Sequence, residues 1–274
     1  MGKHMNDKEY LLAVKIYLTR YYSSELVSII LFGSLADNQG DQAPSTDVDL
    51  LIIIKDTCPI PIFNKINREL LGIESQYKPT KNSFYDLFRK GLQNATGMFI
   101  NLFICRHSDF TNRNFTGVFG VNPVMAFLFA PKTSVWRSLE QRHRIIWGEE
   151  IFAGSKEDAS MQLSDVLRSF AMNSLLSLGA ISLSFIMSSM TQFAMEAVKW
   201  SLFTWKNYSN LPNTSLPVIC GKYARNASTY EKRLLSAFLN FRQTQKPDKY
   251  LLLLAPLFVI RLHHKLIQQM RVRS

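Results

Sequence analysis

The sequence has few cysteines, and their spacing argues against a disulfide scaffold or a zinc site. Cys58, Cys105 and Cys220 are odd in number and far apart, and the chain has neither a CxxC pair nor histidines at zinc-binding spacing. No long apolar run that could act as a secretion signal follows the first five residues. These absences predict a protein of the reducing cytoplasm.

Acidic residues are scarce relative to basic ones. The chain has 32 Lys and Arg against 21 Asp and Glu, which gives a formal net charge of +11. Most of the surplus lies in residues 221–274, which have eleven basic and two acidic residues. A basic segment of this kind suits a triphosphate, a nucleic acid or simply solvent.

Charge is entirely missing between Arg168 and Glu196, and this raises the question of a membrane span. Asn173, Thr191, Gln192 and several serines are scattered through the run, without basic and aromatic flanks at bilayer spacing. A helix that is apolar on most sides is usually buried in a bundle. We therefore predict a helical bundle and no membrane span.

Two apolar runs enclose the most informative stretch of the chain. The first ends at Gly33 and Ser34, turn-forming residues fill the gap, and the second begins with Asp47 and Asp49. This pattern predicts a strand, a loop and a strand. Because side chains alternate along a strand, both carboxylates are expected on one face. Two adjacent carboxylates repel each other without a cation between them, so the pattern predicts a Mg²⁺ site.

Gly33 and Ser34 have the properties of a phosphate-binding turn. Glycine at a strand end allows close approach of a ligand, and Ser34 adds a hydroxyl beside exposed N–H groups. With these residues, the stretch from Leu31 to Ile54 resembles the nucleotidyltransferase superfamily related to DNA polymerase beta. That superfamily has a strand ending in Gly-Ser, followed by a strand bearing Asp-x-Asp. The alternative is a hairpin whose aspartates merely begin a strand.

This resemblance implies both a fold and a reaction. The fold is α+β, with an N-terminal nucleotidyltransferase-fold mixed sheet and flanking helices in residues 1–150, and a C-terminal α-helical bundle in residues 151–274. In the reaction, a hydroxyl group attacks the α-phosphorus of an NTP, with ATP expected, and pyrophosphate is released. Asp47 and Asp49 would bind Mg²⁺, while Gly33 and Ser34 would bind the β and γ phosphates.

Asn101 departs from the pattern of this superfamily. The run from Met98 to Arg106 predicts a third core strand, where the superfamily usually has a third carboxylate. An amide oxygen can coordinate a metal, but it cannot take a proton from an attacking hydroxyl. Either another residue is the general base, or the chain has lost turnover and is a nucleotide-binding regulatory or antitoxin-like protein.

The segments that begin at Arg168 and Ala194 resemble the helical domain of aminoglycoside nucleotidyltransferases. There, a glutamate of the helical domain can act as the base, and basic side chains bind triphosphate. Glu196 and Lys199 are the matching candidates, because residues three apart share a helix face. The alternative is a surface ion pair without a functional role.

The expected partners follow from the same resemblance. The helical domain is similar to that of drug-modifying enzymes, so a small-molecule acceptor is favoured over tRNA or a protein hydroxyl, although the basic C-terminal segment permits a nucleic acid. The sequence does not decide the oligomeric state and is compatible with a homodimer.

Overall fold

The computed structural model describes residues 6–36, 48–77, 100–152, 161–185, 190–211 and 214–273. Within these ranges the chain forms two compact units. The first contains the described residues up to 126 together with residues 142–152, and the second contains residues 127–141 and the described residues from 161 onwards. The functional domains 1–150 and 151–274 stay a prediction, because compactness alone does not assign a function.

A mixed β-sheet forms the centre of the first unit. In the described residues its strands are β1 (Leu26–Phe32), β2 (Asp49–Ile54), β3 (Leu102–Arg106) and β4 (His143–Gly148), in the order β3-β2-β1-β4. β1 is antiparallel to β2 and β4, whereas β2 is parallel to β3. Residues 50–54 are fully buried, as their unbroken apolar run predicts for a central strand covered on both faces.

Helices cover the two faces of the sheet. On one face, α1 (Asp7–Tyr21) and α2 (Ile60–Tyr77) pack their apolar side chains against β1 and β2. On the other, α3 (His107–Thr111) and α4 (Phe115–Phe119) follow β3, and Phe119 contacts Phe103 edge to face with ring centroids 5.2 Å apart. Each buried Leu, Ile or Val contributes on the order of 2 kcal/mol. The predicted α+β class is confirmed.

The remaining elements of the described ranges are helices. They are α5 (Pro123–Phe129), α6 (Lys132–Gln141), α7 (Leu163–Ser184), α8 (Thr191–Tyr208), α9 (Leu216–Ala224), α10 (Thr229–Thr244) and α11 (Lys249–Arg273). In the second unit, α7, α8 and α11 pack against one another. This is the predicted C-terminal helical bundle.

A buried polar network joins α7, α8 and α11. The Ser169 hydroxyl lies 2.6 Å from Thr204 Oγ1 and 3.1 Å from His263 Nε2, and it accepts a hydrogen bond from Asn173 at 3.1 Å. His263 Nδ1 donates to the carbonyl oxygen of Val259 at 2.8 Å. Ser169 therefore links α7 to both neighbouring helices, whereas Asn173 bonds to Ser169 within α7.

Two helices of the second unit are long and apolar enough to cross a bilayer. Among the described residues, an 18-residue stretch has a mean hydropathy of 1.4 within Leu163–Ser184 and of 1.5 within Lys249–Val272. This is weak evidence for a span, because a core helix of a soluble protein meets the same criterion, and 39% and 44% of these stretches are buried. The absence of a membrane span stays a prediction.

His263 is expected to make the fold sensitive to mild acid. Burial lowers the pKa of His263 from 6.5 to about 4, although its hydrogen bond to Val259 acts in the opposite direction. Between these two values the unfolded chain binds a proton that the folded chain does not, so stability falls as the pH falls. From about pH 7 to about pH 5 the expected loss is on the order of 2 kcal/mol. Urea unfolding at the two pH values measures it.

The matched variants for this prediction are His263→Gln and His264→Gln. His263 is fully buried and its neighbour is exposed. We expect His263→Gln to flatten the pH dependence in this window, whereas His264→Gln should retain it. An equal slope in wild type and His263→Gln would show that another group controls the acid sensitivity.

Candidate functional site

Gly33 and Asp49 meet at the edge of the sheet where β1 ends and β2 begins. Asp49 pairs with Phe32, and Gly33 opens a short 3₁₀ helix, Gly33–Leu35. Gly33 has φ +76°, and a Cβ at this position would lie 2.6 Å from Asp49 Oδ2. Glycine adopts this backbone angle without strain, and it has no Cβ that would overlap the carboxylate of Asp49. The two predicted motifs are therefore in direct contact.

Two parts of the predicted site lie outside the described residues. These are Asp47 and the side chain of Ser34, whose backbone belongs to the short helix that Gly33 begins. The proposed sharing of one strand face by Asp47 and Asp49 stays a prediction. The described half of the site consists of Gly33 and Asp49.

Asn101 lies next to Asp49, one residue before the neighbouring parallel strand β3. The Leu50 N–H donates to the carbonyl oxygen of Asn101 at 2.7 Å, and Leu50 pairs with Leu102. Since side chains alternate along a strand, Asn101 faces the same side of the sheet as Asp49. The residue is only 3% exposed. The position expected for a third carboxylate therefore has a buried amide.

The donor set at this edge fits a hard cation in its chemistry. Asp49 supplies carboxylate oxygens and Asn101 supplies an amide oxygen, and both are ligand types that Mg²⁺ accepts. In the described part of the chain, no group of three or more His, Cys, Asp and Glu side chains is placed to hold a metal. Binding of Mg²⁺ would thus depend on Asp47 in addition to Asp49, with nucleotide and water supplying other ligands.

Tyr10 anchors α1 beneath this edge. Its ring is fully buried and stacks on Tyr77, with centroids 4.4 Å apart and planes inclined by 6°. Burial raises the pKa of the Tyr10 phenol, and the charges of Glu74, Tyr77 and Asp49 raise it further. The phenol therefore remains neutral and does not add to the negative charge of Asp49.

His143 is a residue of this edge that sequence reasoning missed. It begins β4 and pairs with Phe32, which on its other side pairs with Asp49. Directly opposed residues in adjacent strands share a face, so His143 lies on the face of Asp49. The Gly33 N–H donates to the carbonyl oxygen of Arg142 at 3.2 Å, which joins the glycine turn to the start of β4.

Glu196 and Lys199 form an ion pair on α8. Lys199 Nζ lies 2.6 Å from Glu196 Oε2, and the two side chains are 21% and 13% exposed, respectively. Lys199 Nζ is also 5.7 Å from the centroid of the Trp200 ring. The i, i+3 spacing thus places them together on one helix face, as predicted. Both lie in the second unit, whereas Gly33 and Asp49 lie in the first.

Comparisons with known proteins identify the class of fold. No protein-family model matches the sequence, and no curated protein matches it significantly. The structure has a nucleotidyltransferase-like fold, as the sequence motifs predicted.

Among solved structures, the chain is similar to spectinomycin adenyltransferase AAD(9) from Enterococcus faecialis, crystallised with ATP and spectinomycin. The TM-score is 0.57 and the identity is 12%, over 95% of this chain and 99% of that one. At this identity the likeness shows the fold alone.

Proposed function

We propose that the protein is a metal-dependent nucleotidyltransferase that moves the AMP group of ATP to a hydroxyl of a small molecule and releases pyrophosphate. The observation that most directly supports this proposal is the contact between Gly33 and Asp49 within a nucleotidyltransferase-like fold. A glycine with φ +76° packed against a carboxylate joins a turn suited to phosphate with a ligand suited to Mg²⁺. Either residue alone would be unremarkable, and the pairing supports this function.

We assign the roles of the residues from the family resemblance and from the described positions of Gly33, Asp49 and Asn101. Asp47 and Asp49 would hold Mg²⁺, with the amide oxygen of Asn101 as a further ligand. Bound there, the ion would neutralise charge on the phosphates during transfer. The turn at Gly33 and Ser34 would bind the β and γ phosphates and orient the α-phosphorus for attack. The Gly33 N–H is bonded to the carbonyl oxygen of Arg142, so the contribution of Gly33 would be the close approach that a missing side chain allows.

The two residues of the ion pair on α8 would have separate roles, one towards the acceptor and one towards the triphosphate. Glu196 would take the proton of the attacking hydroxyl, and Lys199 would bind phosphate oxygens. Lys199 lies against Glu196 at 2.6 Å, so its binding to a triphosphate would release the carboxylate to act as a base. Another residue than Asn101 must accept the proton of the attacking hydroxyl, because an uncharged amide cannot do so.

A small-molecule acceptor is supported by the fold comparison. AAD(9) was crystallised with ATP and spectinomycin, and its fold extends over nearly all of the present chain. Aminocyclitols and aminoglycosides, which carry several hydroxyl groups on a polar ring, are the first class to test.

Asn101 favours one alternative function, that of a nucleotide-binding protein which is not an enzyme. Its buried amide occupies the place where a proton-accepting carboxylate is expected. A protein that binds ATP at this edge without turnover, as a nucleotide sensor or an antitoxin-like partner, would have the same turn and the same Asp49. The two functions differ in whether pyrophosphate is released.

Pyrophosphate release tests the proposal directly. The protein is incubated with ATP and Mg²⁺ and with a panel of aminocyclitols and aminoglycosides, with bulk tRNA as the macromolecular acceptor. We expect acceptor-dependent release that is absent from the Asp47→Asn, Asp49→Asn double variant. Calorimetry with a non-hydrolysable ATP analogue and Mg²⁺ is run in parallel.

The outcomes separate the two classes. Binding of the analogue without release for any acceptor would favour the nucleotide-binding alternative. If the double variant bound the ATP analogue as tightly as wild type, the hypothesis that Asp47 and Asp49 bind Mg²⁺ would be wrong. Release with tRNA alone, with an affinity that falls steeply as salt is added, would overturn the small-molecule acceptor.

A further inference from the structure

We propose that His143 binds the phosphates that leave as pyrophosphate, which makes it a leaving-group contact at the edge of the sheet. This inference rests on the proposed function and assigns a residue to one side of that site. Neither the sequence motifs nor the fold comparison draws attention to this histidine.

The strand register places His143 near the glycine turn. His143 and Asp49 both pair with Phe32, one from each side. Since adjacent strands lie about 4.8 Å apart, the backbones of His143 and Asp49 are roughly 10 Å apart, with β1 between them. The Gly33 N–H is bonded to the Arg142 carbonyl at 3.2 Å, so the residue before His143 is joined directly to the turn.

The order of the strands places His143 and Asp49 on opposite sides of the glycine turn. Asn101, in the place of the third carboxylate, precedes β3 on one side of Asp49. The turn at Gly33 lies at the end of β1 on the other side, and His143 lies beyond it. A phosphate chain held at the turn therefore has Asp49 on one side and His143 on the other.

The imidazole is held in a defined orientation. Its Nε2 lies 3.3 Å from Glu150 Oε1, and the same oxygen accepts a hydrogen bond from the Phe152 N–H at 3.2 Å. The Phe152 ring packs on the imidazole, with ring centroids 4.0 Å apart. The carboxylate partner and the Phe152 ring, which is inclined by 38° to the imidazole, hold the histidine in one orientation.

The ring also remains accessible to a ligand. The side chain of His143 is 17% exposed, and that of Glu150 is 52% exposed. An imidazole N–H, or the positive charge of the protonated ring, is a suitable partner for phosphate oxygens. The negative charge of Glu150 would not attract phosphate, so its contribution is to orient the ring.

The test uses His143→Phe, which retains a flat ring to pack against Phe152 and removes both nitrogens. Calorimetry measures the affinity of the full-length protein for magnesium pyrophosphate and for AMP with Mg²⁺. We expect the variant to bind pyrophosphate on the order of tenfold more weakly, as the loss of a hydrogen bond to a charged group predicts. AMP affinity should not change, because AMP lacks the β and γ phosphates.

Two further variants complete the design. His143→Gln retains an N–H donor and should recover part of the pyrophosphate affinity. His107→Gln, in the same unit, begins α3 after the far end of β3 and should leave both affinities unchanged. Equal pyrophosphate affinity in wild type and His143→Phe would overturn the inference and leave the proposed function standing. Wild-type protein that binds neither ATP nor pyrophosphate with Mg²⁺ would overturn both.

Discussion

Gly33→Ala is expected to remove most of the transfer activity while the chain remains folded. The added Cβ would lie 2.6 Å from Asp49 Oδ2, a separation at which one of the two groups must move. The carboxylate is the freer of the two, so the substitution displaces a residue proposed to bind the metal. A misplacement of about 1 Å at a reacting centre costs on the order of a hundredfold in rate. Steady-state kcat and KM for ATP, with the melting temperature, measure the effect.

Gly120→Ala is the matched control for this substitution. Gly120 also has a left-handed backbone, with φ +61°, but among the described residues no atom beyond its chain neighbours lies within 4 Å of the position of its added Cβ. Both variants carry a backbone strain of about 1 kcal/mol or more, and only Gly33→Ala disturbs Asp49. We expect similar losses of melting temperature and a loss of activity in Gly33→Ala alone. Equal activities would show that the contact with Asp49 is not needed for turnover.

The contact between Gly33 and Asp49 could be predicted because it is local. A strand, a loop and a second strand that begins with carboxylates form a hairpin, and a hairpin places the end of the first strand beside the start of the second. The apolar runs of β1 and β2 predict a buried pair. Only the distance and the angle at Gly33 required coordinates.

His143 could not be predicted because its position depends on pairing between distant segments. Its partner Phe32 is more than a hundred residues earlier, and the β1–β4 register shifts between Ile29 and Ile30. A shift of one residue turns a side chain to the other face of a sheet. The sequence therefore does not indicate whether this histidine faces Asp49 or the opposite layer.

In the helical bundle, too, contacts between distant parts of the sequence could not be predicted. The uncharged run after Arg168 predicted a buried helix, and α7 packs in the bundle. The bond between Ser169 and His263 joins residues 94 positions apart, so no local pattern predicts it. Glu196 and Lys199 were predicted to share a helix face, and this followed from spacing alone because both residues are local to one helix.

Glu196→Gln is expected to lower turnover on the order of a hundredfold while leaving ATP binding nearly intact. This is the range for loss of a positioned general base, and Asn101 cannot supply that function. Lys199→Met breaks the same ion pair from its other end and should raise KM for ATP, with a smaller effect on kcat. If the pair has no functional role, both variants should show the same small change in both constants. Measurement of kcat and KM for ATP in the two variants distinguishes these outcomes.

Asn101→Asp provides the reciprocal test, since it places a carboxylate on the face of Asp49. Without Mg²⁺ the added charge lies buried beside another carboxylate, so the variant should be less stable than wild type and should recover stability when Mg²⁺ is added. In a natural transferase that uses Glu196, Asn101→Asp should partly rescue the Glu196→Gln variant, because a second base becomes available at the sheet. Turnover that appears only in variants carrying Asn101→Asp, and never in wild type, would show instead that the natural chain binds nucleotide without transferring it. Pyrophosphate release from the two single variants and the double variant, with melting temperatures with and without Mg²⁺, decides between these results.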